Sequence, residues 1–449
     1  MDFLDNIALP QSAEHIQLLH YLLILVLFLF ISFIGLVFGG TILSVRYKRK
    51  SEKSGDEKYF HFAKDIMEIV TVSKSIGFIL GIAPLITIIL IYSQLLHGSQ
   101  ISNLGFLGLS LICVIVSLFF IYSFRYSLSF NRIFGSIKSI DIKDESVSGD
   151  INKFSSESSN ISNTAGRYGL LFLFLGLWFF FTAITISIYY QDWKVDTFLG
   201  SLFDLSVLLK FFFYILFSLT LTGGVILFRF FNLEKSKKEE DDEYSKFVKS
   251  HALKVTFVSG VLIPVFMLLN LIKVPSIILS GTVFTYLIIS IILLFLGFHF
   301  LYMLSKSYST VFTSLLFLVL IFSLGAYIVS EQSIMKNSTS VRSAILSANF
   351  DKYLADLKGE GTTEKVDGAE IYKVRCESCH RWDTKLVGPP HDKVIPKYVG
   401  KEAQLVAFIR NPVKVNPDYP PMPNPGLKPT EAKAVADYLL ERMAEEKKK

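Results

Sequence analysis

Long apolar runs alternate with short polar segments along the first three quarters of the chain, and each run has the length of a helix that crosses a bilayer, about 20 residues. Eight such runs stand out, near 17–44, 70–96, 103–124, 167–190, 206–231, 252–274, 281–304 and 308–329. In lipid every backbone amide must be bonded internally, so runs of this kind predict α-helices. Only Lys273-Val274-Pro275 separates the sixth run from the seventh, which predicts a tight helical hairpin. A count of seven stays open if one run is re-entrant. Two polar segments read as solvated connectors without a packed core: 139–166, rich in Ser, Asn, Asp and Lys, and 234–245, a run of Glu, Lys and Asp.

After the last run the pattern changes. Glu331 to Lys365 is polar, with an amphipathic helix predicted over Val341 to Leu357, and reads as a tether. From about Val366 the composition is that of a small globular domain. The chain therefore divides into a transmembrane helical domain (1–330), a tether (331–365) and a soluble domain (366–449). The expected fold class is all-α.

Composition agrees. Of 449 residues 51% are hydrophobic, and the mean hydropathy is +0.47, more than a soluble globular chain carries. The net charge of +6 is spread over short segments, so nucleic-acid binding gains no support. Those segments do set orientation, because lysine and arginine beside spans stay on the cytoplasmic side. Residues 45–69 carry Arg46, Lys48, Arg49, Lys50, Lys53, Lys58 and Lys64; 125–166 and 232–250 are also basic; 1–16 and 97–102 hold none, and 191–205 holds only Lys194. The N-terminus is expected outside, and an even number of spans then puts the soluble domain outside too, in the periplasm of a bacterial inner membrane. The start lacks the basic region of a cleaved signal peptide, and its apolar run is too long for one.

One segment names a chemistry. Cys376-Glu377-Ser378-Cys379-His380 has the Cys-x-x-Cys-His spacing that attaches haem c through two thioethers, with the histidine as a ligand of the iron. A zinc site would want a second close pair of ligands, and only His380 and His391 stand nearby. A thiol redox centre would want a βαβ pattern. Cys113, alone in an apolar run, reads as a small buried residue. Elsewhere no phosphate loop, carboxylate pair or nucleophile with its base is evident, so no catalytic residue is named.

Around that motif the C-terminal segment resembles class I cytochrome c. Gly368, Tyr372 and Cys376 stand four apart, Gly388-Pro389-Pro390 and Tyr419-Pro420-Pro421-Met422-Pro423 follow, and Thr430 precedes a helical pattern from Glu431 to Leu440. The resemblance implies that an N-terminal helix crosses a C-terminal one at Gly368 and Tyr372, with Val435 and Tyr438 on the other side. It implies that the Pro389 carbonyl accepts the hydrogen bond of His380 Nδ1 and that Met422 is the second axial ligand. Two other readings stay open: Met422 packs only, or His391 takes the distal position.

A second resemblance covers about the first five spans. His20 in Leu18-Leu19-His20-Tyr21-Leu22-Leu23, the outside N-terminus, and Phe78-Ile79-Leu80-Gly81-Ile82-Ala83 are similar to the large subunit of cytochrome bd-type quinol oxidases. That likeness implies His20 as a haem b ligand; a hydrogen-bonded helix-end histidine is the alternative. The chain departs from that family where it matters: the third span has no acidic residue, and the fifth has Phe211-Phe212-Phe213 and no histidine. His299, in the seventh span, is the other intramembrane histidine.

The expected function is that of a membrane-anchored c-type cytochrome, carrying single electrons in a respiratory chain as a subunit of a membrane complex. Redox proteins on the periplasmic side, other membrane subunits and the lipid bilayer are the expected partners. Two alternatives are a bd-like quinol-oxidising or oxygen-reducing subunit with haem b in the bundle, and a transport or assembly scaffold with an appended cytochrome. One covalent haem c is expected; haem b or a quinone has no clear support in the residues.

Overall fold

The computed structural model describes residues 11–97, 103–137, 145–189, 198–232, 243–307, 309–358 and 367–446. Among them are eight helices long and apolar enough to cross a membrane: α1 (Ala13–Ser54), α3 (Lys74–Leu95), α4 (Asn103–Ile137), α5 (Glu145–Tyr189), α6 (Leu205–Asn232), α7 (Glu243–Ile272), α8 (Gly281–Lys306) and α9 (Thr310–Ser338). A shorter amphipathic helix, α2 (Glu57–Val70), lies between the first two. Side chains at the helix starts make the boundaries: Ser12 Oγ accepts the His15 N–H at 3.1 Å, and Asp56 Oδ1 accepts the Lys58 N–H at 2.9 Å. The parts of the expected connectors at 138–144 and 233–242, and of the tether at 359–366, lie outside the described residues.

Between apolar helices in lipid, small residues and interhelical hydroxyl bonds supply the specificity that hydrophobicity cannot. Ser117 Oγ donates to the Gly169 carbonyl at 2.7 Å, joining α4 to α5; Thr220 and Ser259 hydroxyls stand 2.7 Å apart between α6 and α7; Ser290 Oγ donates to the Ser323 carbonyl at 2.8 Å between α8 and α9. Aromatic rings fill the centre, with Phe30 against Phe180 at 4.8 Å and Phe181 against Tyr214 at 4.9 Å between ring centroids.

Two expectations are corrected. Residues 145–166 are not a solvated connector: α5 starts at Glu145 and runs unbroken into the fourth span. One face of its start packs against the bundle, where small polar residues fit and two of them find partners. Ser158 and Ser162 are buried, Ser158 Oγ donates to the Ser127 carbonyl at 3.2 Å, and Asn163 Oδ1 accepts from Lys48 Nζ at 2.5 Å. Nor do α7 and α8 form a tight hairpin. Residues 273–280 join them through a 3₁₀ turn at Ser276–Ile278, and they touch where Phe298 reaches Phe257 and Gly260. Each carries its small polar stripe toward another neighbour, α6 for one and α9 for the other.

α3 contains a π-helical turn, Phe78–Ile82, just before Pro84. A proline has no N–H for the preceding turn, and a wider turn absorbs the loss.

Beyond α9 the chain continues after Thr339 into α10 (Ser340–Leu357). The remaining helices are α11 (Gly368–Arg375), α12 (Glu402–Arg410) and α13 (Pro429–Glu446), with short turns at His391–Tyr398. Their core holds Tyr372, Cys376, Trp382, Ile395, Leu405, Ile409, Leu427, Val435 and Leu439. α12 packs on α10, where Arg410 pairs with Asp351. The result is an all-α protein: a membrane bundle followed by a small helical domain.

Candidate functional site

α11 starts on Asp367, whose carboxylate accepts the Ala369 N–H at 2.9 Å, and it ends in the turn that carries the motif. Cys376 N–H donates to the Tyr372 carbonyl at 2.8 Å, and the N–H groups of Cys379 and His380 both return to the Cys376 carbonyl, at 3.1 and 2.9 Å. One helical turn therefore separates the two thiols, and both are free. Burial, and then the neighbouring Cys379, push the Cys376 thiol up to about 11.

The following loop folds back over this turn. The Cys379 carbonyl accepts from Val387 at 3.2 Å and Gly388 at 2.9 Å, while His391 N–H donates to the Arg381 carbonyl at 3.1 Å. That places the Pro389 carbonyl 3.3 Å from His380 Nδ1, the contact expected from the sequence. With Nδ1–H donating there, the Nε2 lone pair is the one left for a metal. Gly388 is required for the approach, since a Cβ on it would lie 2.2 Å from His380 Cε1. Tyr372 Oη donates to the His380 carbonyl at 3.3 Å, a role the sequence reading did not assign.

His391 does not stand opposite His380. The two rings touch, with centroids 4.8 Å apart, which leaves no room for an iron between them. His391 is buried against Tyr372 and Trp382, and desolvation, aided by His380 and Arg442, pushes its pKa down to about 3, so the ring is neutral.

Met422 is half-buried in the irregular stretch between α12 and α13. That stretch comes to the motif side of the domain: Lys385 Nζ, in the loop after His380, lies 4.7 Å from the centroid of the Tyr419 ring.

α13 closes the domain. It begins one residue before Thr430, with Pro429 in the first turn, and the Glu431 carboxylate accepts the Lys428 N–H at 2.7 Å; Thr430 thus lies inside the helix and does not precede it. A Cβ at Gly368 would meet the backbone of Ala434 and Val435, and Tyr372 and Tyr438 rings stand 5.5 Å apart. Three further residues escaped the sequence reading. Arg442 lies 4.6 Å over the Trp382 ring, and Trp382 Nε1 donates to Glu446; Trp382 and Glu446 stand 64 positions apart in the sequence, so no local pattern announces them.

His20, in the first span, is buried, and among the described residues its Nδ1 has no hydrogen-bond partner. His299 is on the outer surface of the bundle, beside Phe300. Among the described residues, no group of three or more His, Cys, Asp or Glu side chains converges as a metal site.

The family model of cytochrome c matches residues 366–442. Over 78 residues the chain is 38% identical to cytochrome c-551 of Pseudomonas denitrificans, which spans 16% of this chain and 94% of that protein. It is also 38% identical over 77 residues to cytochrome c-551 of Azotobacter vinelandii, again with 16% of this chain and 94% of the relative covered. The chain belongs to the cytochrome c family through this domain. No solved structure matches the chain. Membership implies a covalently bound haem c and electron transfer. The residues of the cytochrome c domain fit such a group: two free thiols one turn apart, an imidazole oriented by a backbone carbonyl, and a glycine where any side chain would strike that ring.

Proposed function

We propose that the protein is a membrane-anchored c-type cytochrome that passes single electrons in a respiratory chain as a subunit of a membrane complex, its haem domain on the periplasmic side of a bacterial inner membrane. The His380–Pro389 contact inside a Cys-x-x-Cys-His turn carries the reading. When bound, haem c supplies an iron that cycles between ferric and ferrous states. Cys376 and Cys379 would hold it through thioethers, with His380 and Met422 as axial ligands. Pro389 keeps the proton on Nδ1 of His380 and fixes the ring plane. A thioether opposite an imidazole raises the potential relative to two imidazoles, which suits a carrier in an oxidising stretch of a chain. The eight-helix bundle anchors this domain, and the basic cytoplasmic loops support its orientation. The electron donor and acceptor would be redox proteins meeting it outside the membrane.

The unpartnered, buried Nδ1 of His20 favours a second reading, a haem b in the bundle that feeds the cytochrome c domain, as in a bd-like quinol-oxidising subunit. Reduced-minus-oxidised spectra with pyridine haemochrome quantification of the purified protein separate the two. A single c-type haem per chain is expected. An added b- or d-type band, lost in His20→Ala, would replace the carrier by the enzyme.

A further inference from the structure

At the opposite end of the bundle from the cytochrome c domain, α1 and α5 line an open cleft of about 650 Å³. Its two walls follow one rule. On α1, Arg46, Arg49, Lys50 and Lys53 recur at i, i+3, i+4 and i+7, so they share one face just past Ile42 and Val45. On α5, Arg167, Leu170, Leu171 and Phe174 recur at the same spacing. The helices run in opposite directions through the membrane, so the cationic ends of both stripes meet at one level and the apolar ends at another.

Among the described residues none of these five cations makes an ion pair, and the nearest carboxylate along α1, Glu52, is held by Lys48 at 2.5 Å. Lys50 instead rests 4.1 Å over the Tyr59 ring. Five positive groups in a concave site, three of them guanidinium forks suited to phosphate oxygens, call for a multiply charged anion. A soluble anion would leave the apolar half of the cleft uncovered, at the depth where the first span ends. An occupant with both an anionic headgroup and acyl chains matches both halves.

We propose that this cleft binds an anionic phospholipid whose headgroup carries two phosphates, held by Arg46, Arg49, Lys50, Lys53 and Arg167, with its acyl chains along the apolar lining. The site is separate from the electron-transfer reading, and either stands without the other.

Native mass spectrometry of the full-length protein, titrated in detergent with diphosphatidylglycerol, phosphatidylglycerol or phosphatidylcholine, tests it. The expected order of retention is that order, with one tightly held diphosphatidyl lipid per chain. The Arg46→Gln, Arg49→Gln, Arg167→Gln triple variant should bind it about tenfold more weakly or worse, while the corresponding triple Lys variant, which keeps the charge, should retain most of the affinity. Equal retention of phosphatidylcholine, undiminished binding in the Gln variant, or displacement of the lipid by millimolar inorganic phosphate would each overturn the assignment. Should the Gln variant not fold, the order of the three lipids on the unaltered protein decides alone.

Discussion

Gly368 lies so close to Ala434 that a Cβ on it would stand 1.9 Å from the Ala434 carbonyl oxygen. The two terminal helices of the cytochrome c domain thus cross backbone to backbone, and the crossing holds the Tyr372 end of α11, from which the motif turn hangs. Gly368→Ala must push them apart. Overpacking of this kind costs about 1–3 kcal/mol, so the thermal midpoint of the domain, followed by its haem absorbance, should fall by several degrees, whereas Ala369→Gly nearby should act only through helix propensity.

The axial assignment predicts two different outcomes. His380→Ala removes the ligand that Pro389 orients, and normal haem ligation should be lost. Met422→Ala should leave the covalent haem in place but abolish the weak sulfur-to-iron band near the red edge of the ferric spectrum and lower the reduction potential. Persistence of that band in the Met422 variant would assign the distal ligand elsewhere.

Asp437 provides a pH handle. Burial, together with hydrogen bonding and repulsion from Glu402, raises its pKa above the ordinary value of 3.8. The folded domain therefore holds this proton more tightly than the unfolded chain does, and ionisation of Asp437 weakens the fold at neutral pH. Stability should rise as pH falls through the raised pKa toward 3.8. Asp437→Asn should raise the thermal midpoint at neutral pH and flatten that part of the pH profile; an unchanged profile would contradict it.

Lys210 and Glu331 form an ion pair between α6 and α9, with side chains only 5% and 16% exposed. Lys210→Met strands a buried carboxylate, a change that costs about 3–5 kcal/mol in comparable pairs. The double variant Lys210→Met, Glu331→Leu should recover most of that loss, which a thermal-stability cycle in detergent measures directly.

Much of this architecture was legible because the physics is local. An apolar run of span length has few alternatives to a helix, and Cys376, Cys379 and His380 act within one turn. Pro389 was placed through the resemblance to class I cytochrome c and not from its own surroundings in the sequence. The serine-rich start of α5 was not legible, since what makes Ser158 and Ser162 helical is a neighbour, α4, that only the fold supplies. The same holds for α7 and α8, where Ser259 and Ser290 bond to α6 and α9 and not to each other's helix. The Arg442–Trp382 stack and the basic cleft join segments far apart in the chain, and nothing in either segment alone names its counterpart.

The join at α10 bears on how electrons arrive. Only Thr339 interrupts the helical path from α9 into α10, and Arg410 of the cytochrome c domain is clamped to Asp351 on α10. On the proposed function, this packing favours a haem domain held against α10 over one that sweeps through space on a string. A swinging carrier could ferry charge between distant stations, but a fixed one must wait for partners to slide or dock alongside. Traffic through it becomes a search in the plane of the membrane, with a rate set by encounter and geometry rather than by the reach of a linker.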